Sequence, residues 1–331
     1  MSEAATDPLV TSHHAPLPRA GPVRPGGPGR AVVSRLAAAL LAAALLLTGC
    51  SSSASSSTPS AGTGASSSAS PSPRFASYVA LGDSYTAGPF IPTTDLASGC
   101  LRSDHDYPAL VARRLGITDY RDVSCSGATT ADLTHVQHTF GDARVPAQLN
   151  AVEEDTDLVT IGIGGNDLRL FATLVGTCTS LRDSDPTGSP CARELARTGP
   201  DLDSATRTIS AHVTTALRRI RARAPHATVV LVGYLRLVPA SGTCAALPLA
   251  DGDYAQGRRI SRILSRSLAQ AADRAGADFV DMYAASKGHD ICSAHPWVNG
   301  ARTDRQKALA YHPFAAGMRA DADGVLAALE R

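Results

Sequence analysis

The 331-residue sequence has almost no lysine: Lys287 and Lys307 stand among 31 cationic side chains, and the rest are arginine. It also lacks a charge excess, with 31 Lys+Arg against 30 Asp+Glu for a net charge of +1. A general nucleic-acid binder needs a basic surplus, so that class is set aside. No apolar run approaches the roughly 20 residues of a membrane-spanning helix, which excludes a multi-span membrane protein. There is no C-x-x-C pair to suggest a zinc or thioredoxin-type site, and no internal repeat. Apolar residues are plentiful at 44%, enough for a real core and against disorder throughout.

The longest apolar run is residues 36–47, twelve residues of Leu and Ala preceded by Arg30 and Arg35. As a helix it would span roughly 18 Å, short of a bilayer core of about 30 Å. It reads as the apolar region of a secretory signal. The following Leu47-Thr48-Gly49-Cys50 resembles a bacterial lipobox, in which the Cys thiol is acylated and becomes the new N-terminus. The alternative is an ordinary cleavage site with a chance Cys, but a free thiol in an oxidising compartment is a liability. Of residues 51–73, 12 of 23 are Ser, with little to bury, which suggests a flexible tether. The expected division is therefore a lipoprotein-type signal peptide over 1–49, a lipidated Cys50 and Ser-rich tether over 50–74, and a folded domain over 75–331.

Seven cysteines are present: Cys50, Cys100, Cys125, Cys178, Cys191, Cys244 and Cys292. With Cys50 consumed by lipid, six remain, and six allow 15 pairings that spacing cannot choose between. The short Cys178–Cys191 interval, rich in Asp, Ser, Gly and Pro, looks like a stapled loop.

Short apolar runs at 77–81, 157–163, 228–233 and 278–282 read as buried strands, the last less clearly. Asp122-Val123-Ser124 could end another. Between them lie helical patterns: Leu110, Val111 and Leu115 within 107–115, and Ile209, Val213, Leu217 and Ile220 within 202–224. Ile260, Leu264 and Leu268 mark a third helix. A last one is expected over 313–329, with Pro313 in its first turn. Such alternation predicts an α/β fold, a three-layer sandwich with a central parallel sheet.

In such folds function collects at the C-terminal ends of strands. The first strand ends in Gly82-Asp83-Ser84-Tyr85-Thr86-Ala87-Gly88 and the second in Gly164-Gly165-Asn166-Asp167. Ser126-Gly127-Ala128-Thr129-Thr130 lies between them, and Tyr311-His312-Pro313 near the C-terminus. A Ser at a strand-to-helix turn can expose its Oγ, with main-chain N–H groups nearby for a developing anion. Asn166 and the Gly127 N–H can add donors, and His312 is a candidate base. A nucleophile, a base and three donors are the minimal parts for acyl transfer. Each motif alone has a bland reading, as a turn, a loop or a surface His; their order, strand context and spacing agree.

Ser84, Gly127, Asn166 and His312 match, in order, the four sequence blocks of the SGNH or GDSL hydrolases, and the chain resembles that family over nearly the whole expected domain. More narrowly it is similar to the secreted actinomycete-type GDSL lipases and esterases, a likeness extended by Gly288-His289-Asp290-Ile291-Cys292 and Pro296-Trp297-Val298-Asn299-Gly300. The resemblance implies a flavodoxin-like SGNH hydrolase fold and disulfides in sequence order, Cys100–Cys125, Cys178–Cys191 and Cys244–Cys292. It implies Ser84 as nucleophile, His312 as base, an oxyanion hole from the Ser84 and Gly127 N–H groups and the Asn166 amide, and no metal or organic cofactor. It departs from the broader family at the Asp expected three residues before the His, which is Leu309 here. The Leu309 main-chain carbonyl is expected to orient His312, with Asp290 and Asp304 as rival carboxylates.

The expectation is an extracytoplasmic serine ester hydrolase, monomeric, anchored to the membrane through Cys50, or secreted if the lipobox is not used. Its partner is an acyl ester and not a nucleic acid. The alternatives are an acyltransferase using sugar or alcohol acceptors, and a non-catalytic binding lipoprotein.

Overall fold

The computed structural model describes residues 74–331 other than residue 200. The expected signal peptide, Cys50 and the Ser-rich stretch up to residue 73 lie outside the described residues.

Five strands form one parallel sheet: β1 (Ser77–Gly82), β2 (Asp119–Asp122), β3 (Leu158–Gly162), β4 (Thr228–Val232) and β5 (Asp278–Val280). Their spatial order is β2-β1-β3-β4-β5, with every neighbouring pair parallel. β1 and β3 are almost wholly buried, as continuous apolar runs at the centre of a two-sided sheet should be. β2, an Asp-Tyr-Arg-Asp edge strand with exposed Asp119 and Arg121, carries no apolar run, so its sequence announces only its end. β5 is shorter than expected because Asp281 caps the turn after it, accepting a hydrogen bond from the Ala284 N–H at 3.0 Å.

The helices are α1 (Tyr107–Leu115), α2 (Pro190–Thr198), α3 (Leu202–Arg223), α4 (Tyr254–Ala275) and α5 (Ala315–Leu329). Asp106 starts α1 by accepting from the Ala109 N–H at 2.8 Å, and Gly116 ends it in the left-handed region. The stripe Ile209, Val213, Leu217 and Ile220 on α3 is fully buried, each side chain contributing roughly 1.5–3 kcal/mol. α3 packs against α4, and α1 against α5. Helices thus flank the sheet in a three-layer α/β/α sandwich. The last helix starts two residues later than expected. Pro313 sits in an isolated bridge with Val298, the Phe314 N–H donates to the Trp297 carbonyl at 2.8 Å, and Phe314 is the cap.

The six described cysteines pair in sequence order as Cys100–Cys125, Cys178–Cys191 and Cys244–Cys292. Among the described residues no helix is long and apolar enough to cross a membrane.

Candidate active site

β1 delivers Ser84 to the C-terminal end of the sheet through a bend that only glycine permits. Gly82 has φ +151°, and a Cβ there would lie 2.2 Å from Thr86 Oγ1 and 2.7 Å from the Gly162 carbonyl. The Gln148 side chain pairs with both main-chain groups of Gly82, at 2.8 and 2.9 Å. Asp83 then caps the single turn Ser84–Ala87, its Oδ1 accepting from the Tyr85 N–H at 2.9 Å. Ser84 itself is 8% exposed.

His312 comes from the loop before α5 and meets Ser84, with Nε2 to Oγ at 2.7 Å. Its Nδ1 lies 2.7 Å from the Ala310 carbonyl. A carbonyl can only accept, so Nδ1 carries the proton and Nε2 is left to accept from the Ser84 hydroxyl. The orienting carbonyl is therefore Ala310 and not Leu309 as the sequence led us to expect. The Leu309 carbonyl is engaged by the His312 N–H at 3.2 Å and by Asn299 Nδ2 at 3.2 Å. Tyr311, at φ +63°, turns the chain left-handed so that His312 folds back on Ala310. Neither rival carboxylate occupies that place: Asp290 accepts from the Cys292 N–H at 3.0 Å, and Asp304 pairs with Lys307 at 3.3 Å.

Burial pushes the His312 imidazole down to about 4, against the hydrogen bond that Nδ1 donates to the Ala310 carbonyl, which favours the charged form. The rings of Tyr85 and Phe171 stand 5.4 and 5.7 Å from it. Beyond them Leu174, Tyr234, Ile260 and Leu264, with those two rings, line a narrow apolar gap of about 20 Å³.

Gly127 is exposed and has φ +82°. Among the described residues its N–H has no acceptor, while its neighbours are held. The Cys125 N–H donates to the Gly82 carbonyl at 3.0 Å, the Ser126 N–H to the Cys100 carbonyl at 3.0 Å, and Gln137 Nε2 to the Ser126 carbonyl at 3.0 Å. Asn166 follows β3 and donates from Nδ2 to the Ala128 carbonyl at 2.9 Å. That bond uses one amide hydrogen and leaves the other. Next to it, buried Asp167 accepts from the Thr130 N–H at 2.9 Å and the Thr130 hydroxyl at 2.7 Å, and faces His212 Nδ1 at 3.0 Å.

Several supporting residues escaped the sequence reading. The Tyr234 hydroxyl donates to Asp83 Oδ2 at 2.5 Å and accepts from the Gly165 N–H at 2.8 Å, joining the Ser84 turn to the Asn166 loop. The Tyr85 hydroxyl donates to the Tyr311 carbonyl at 2.6 Å, joining that turn to the His312 loop. Asn299 holds the same loop through the Ala308 and Leu309 carbonyls. Tyr234 had one usable signal, its place two residues beyond a strand end. Burial pushes the Asp83 carboxyl up to about 7, although Tyr234 and the Tyr85 N–H favour its charged form. Among the described residues no group of three or more His, Cys, Asp or Glu side chains is placed to hold a metal ion.

The GDSL-like lipase/acylhydrolase family model matches residues 80–320. Lipase 2 of Streptomyces coelicolor is 40% identical over 222 residues, covering 66% of this chain and 73% of that protein. A lipase of Streptomyces rimosus is 33% identical over 241 residues, covering 72% and 81%. The crystal structure of phospholipase A1 from Streptomyces albidoflavus NA297 superposes with a TM-score of 0.62 at 31% identity, covering 77% of this chain and 98% of that one.

Proposed function

This chain belongs to the GDSL-like lipase/acylhydrolase family and is a carboxylic ester hydrolase, and from that premise we propose that it works through an acyl-enzyme on Ser84. The Ser84 hydroxyl attacks the ester carbonyl while His312 Nε2 takes its proton. The carbonyl oxygen becomes an oxyanion, held by the Ser84 and Gly127 N–H groups and the free Asn166 amide hydrogen. Collapse breaks the ester bond, and His312 returns the proton to the departing alcohol. Water, deprotonated by His312, then attacks the acyl-Ser84 ester, releases the acid and restores the hydroxyl. The rings of Tyr85 and Phe171, 5.4 and 5.7 Å from the His312 ring, offer the acyl chain an apolar surface at the site.

One observation carries this reading: the Ser84–His312 contact of 2.7 Å, with the far ring nitrogen fixed on a carbonyl. Ser84→Ala should abolish hydrolysis of p-nitrophenyl esters and labelling by a fluorophosphonate, with the melting temperature unchanged. Asn166→Ala should cost roughly 10²–10³ in kcat. Full turnover in purified Ser84→Ala would end the serine mechanism.

The same proposal places the enzyme outside the cytoplasm as a monomer, acylated at Cys50 and joined by residues 51–74 to the domain at 75–331. Three disulfides support an oxidising compartment.

A further inference from the structure

Four large apolar side chains are exposed among the described residues: Leu96, Val136, Phe140 and Leu168, from 43 to 60% accessible. Single exposed apolar residues are normal on any surface. These four, however, all lie in loops that leave the C-terminal ends of strands. Leu96 follows β1, Val136 and Phe140 lie between β2 and β3, and Leu168 follows β3. Because the strands are parallel, all four belong to the end of the sheet that bears Ser84.

Hydrogen bonds join these loops into one rim. The Thr139 hydroxyl donates to the Ser98 carbonyl at 2.7 Å, and the Gly99 N–H to the Leu96 carbonyl at 3.3 Å. Gln137, next to Val136, holds the Ser126 carbonyl beside Gly127. Thr130 is bonded to Asp167, the residue before Leu168.

The fold gives no reason for these side chains to be apolar. Phe140 stands near the tip of a hairpin whose arms are Gln137–His138 and Arg144–Val145. Leu168 and Arg169 have φ of +54° and +57°, a left-handed pair in which a large exposed Leu adds nothing to the core.

We propose that Leu96, Val136, Phe140 and Leu168 form a docking rim that seats the mouth of the site on a zwitterionic lipid surface. The charges interspersed with them nearly balance: Asp95 and Asp142 against Arg102, Arg144 and Arg169. A surface that selected anionic lipid would carry a basic cluster. The inference rests on the hydrolase reading only in treating an ester-bearing lipid as what lies beyond the rim.

The test uses the full chain carrying Ser84→Ala, so that no lipid is consumed. Phe140→Trp is added, and phosphatidylcholine vesicles with doxyl-labelled acyl chains are titrated in. Trp297 is the single native Trp and serves as the internal comparison. The new Trp should shift to the blue and be quenched at least about twofold more than Trp297 alone, as a side chain entering hydrocarbon would be. Equal quenching overturns the proposal.

With Ser84 intact, Leu96→Ser/Val136→Ser/Phe140→Ser should lower hydrolysis of an ester carried in the vesicles by about tenfold or more. Turnover of soluble p-nitrophenyl acetate should stay within about twofold of the parent. A parallel fall in both activities also overturns the docking rim. Turnover by the Ser84→Ala chain would instead sink the serine mechanism, leaving the quenching readout intact.

Discussion

His312 and Asp83 both adjoin Ser84, and burial moves them in opposite directions. His312 is pushed down to about 4 and Asp83 up to about 7. With His312 as the proposed base, which must be neutral, kcat/KM should hold through pH 6.5 and break near 4; a break at 6.5 would mean the ring is open to water. Stability responds with two signs. Between about 4 and 6.5 the unfolded chain protonates His312 and the native one does not, so this contribution is lost as pH falls. For Asp83 the native state keeps a proton that the unfolded state releases from its ordinary 3.8 upward, so its contribution is lost as pH rises to about 7. The two slopes cancel over their common range. Asp83→Asn removes one of them. Relative to that variant, the parent should gain about 3 kcal/mol in urea unfolding free energy on going from pH 6.5 to 4.5, at about 1.4 kcal/mol per pH unit. A constant difference would show that Asp83 titrates normally. The orienting group is testable at the same scale. A carboxylate partner to the catalytic His can be worth about 10⁴ in kcat. With Ala310 supplying a carbonyl, Asp290→Asn and Asp304→Asn should each cost less than about tenfold. A thousandfold loss in either would make the dyad a triad. The sequence reading erred here by one residue, because the left-handed turn at Tyr311 leaves no mark in residue type.

At the scale of elements, the loops that carry the site depend on ties between distant parts of the chain. Cys100–Cys125 closes 25 residues and fastens the segment holding Gly127 to the loop after β1. Cys100→Ala/Cys125→Ala should cost about 3 kcal/mol in stability, read as a lower melting temperature. It should also lower kcat, since Ser126 and Gly127 lose their brace. A variant that melts lower but keeps kcat would confine the bridge to a structural role. The strands and helices were legible where periodicity or a continuous apolar run marked them, as in β1, β3, α3 and α4. β2 was not, because an edge strand with exposed Asp and Arg resembles a loop. Ser84 and Asn166 stood out in the sequence at glycine-rich strand ends, and Gly127 and His312 joined them because the four match, in order, the blocks of the family the chain resembles; the structure brings His312 to Ser84. Tyr85 and Tyr234 were not. Their bonds to Tyr311 and Asp83 span 226 and 151 residues, and nothing local distinguishes such a tyrosine from one that fills the core.

For the whole molecule, the division into signal, tether and domain was read from composition, and the first two parts lie outside the described residues. Within the domain, the described chain begins at Arg74, whose side chain donates to the Leu329 carbonyl, and runs through Phe75 into β1. The chain enters at the N-terminal end of β1, and Ser84 stands at its C-terminal end, about 20 Å away along six residues. Cys50 is the proposed attachment point, and the described domain receives the chain at the end of β1 away from Ser84. The 23 residues 51–73 have a contour of about 80 Å, against a radius of gyration of about 18 Å for a domain of this length. Under the proposed anchor at Cys50, the contour of this leash exceeds the dimension of the domain itself. Cut to eight residues, about 28 Å, it should stop the enzyme from hydrolysing esters in its own vesicle while sparing soluble esters. Equal loss of both, or of neither, would count against the proposed anchor at Cys50. A selective loss would mean that, with the proposed anchor, the length of a stretch with almost nothing to bury decides the enzyme's diet: a short leash would leave it foraging outward, and a long one would let it feed on its own membrane.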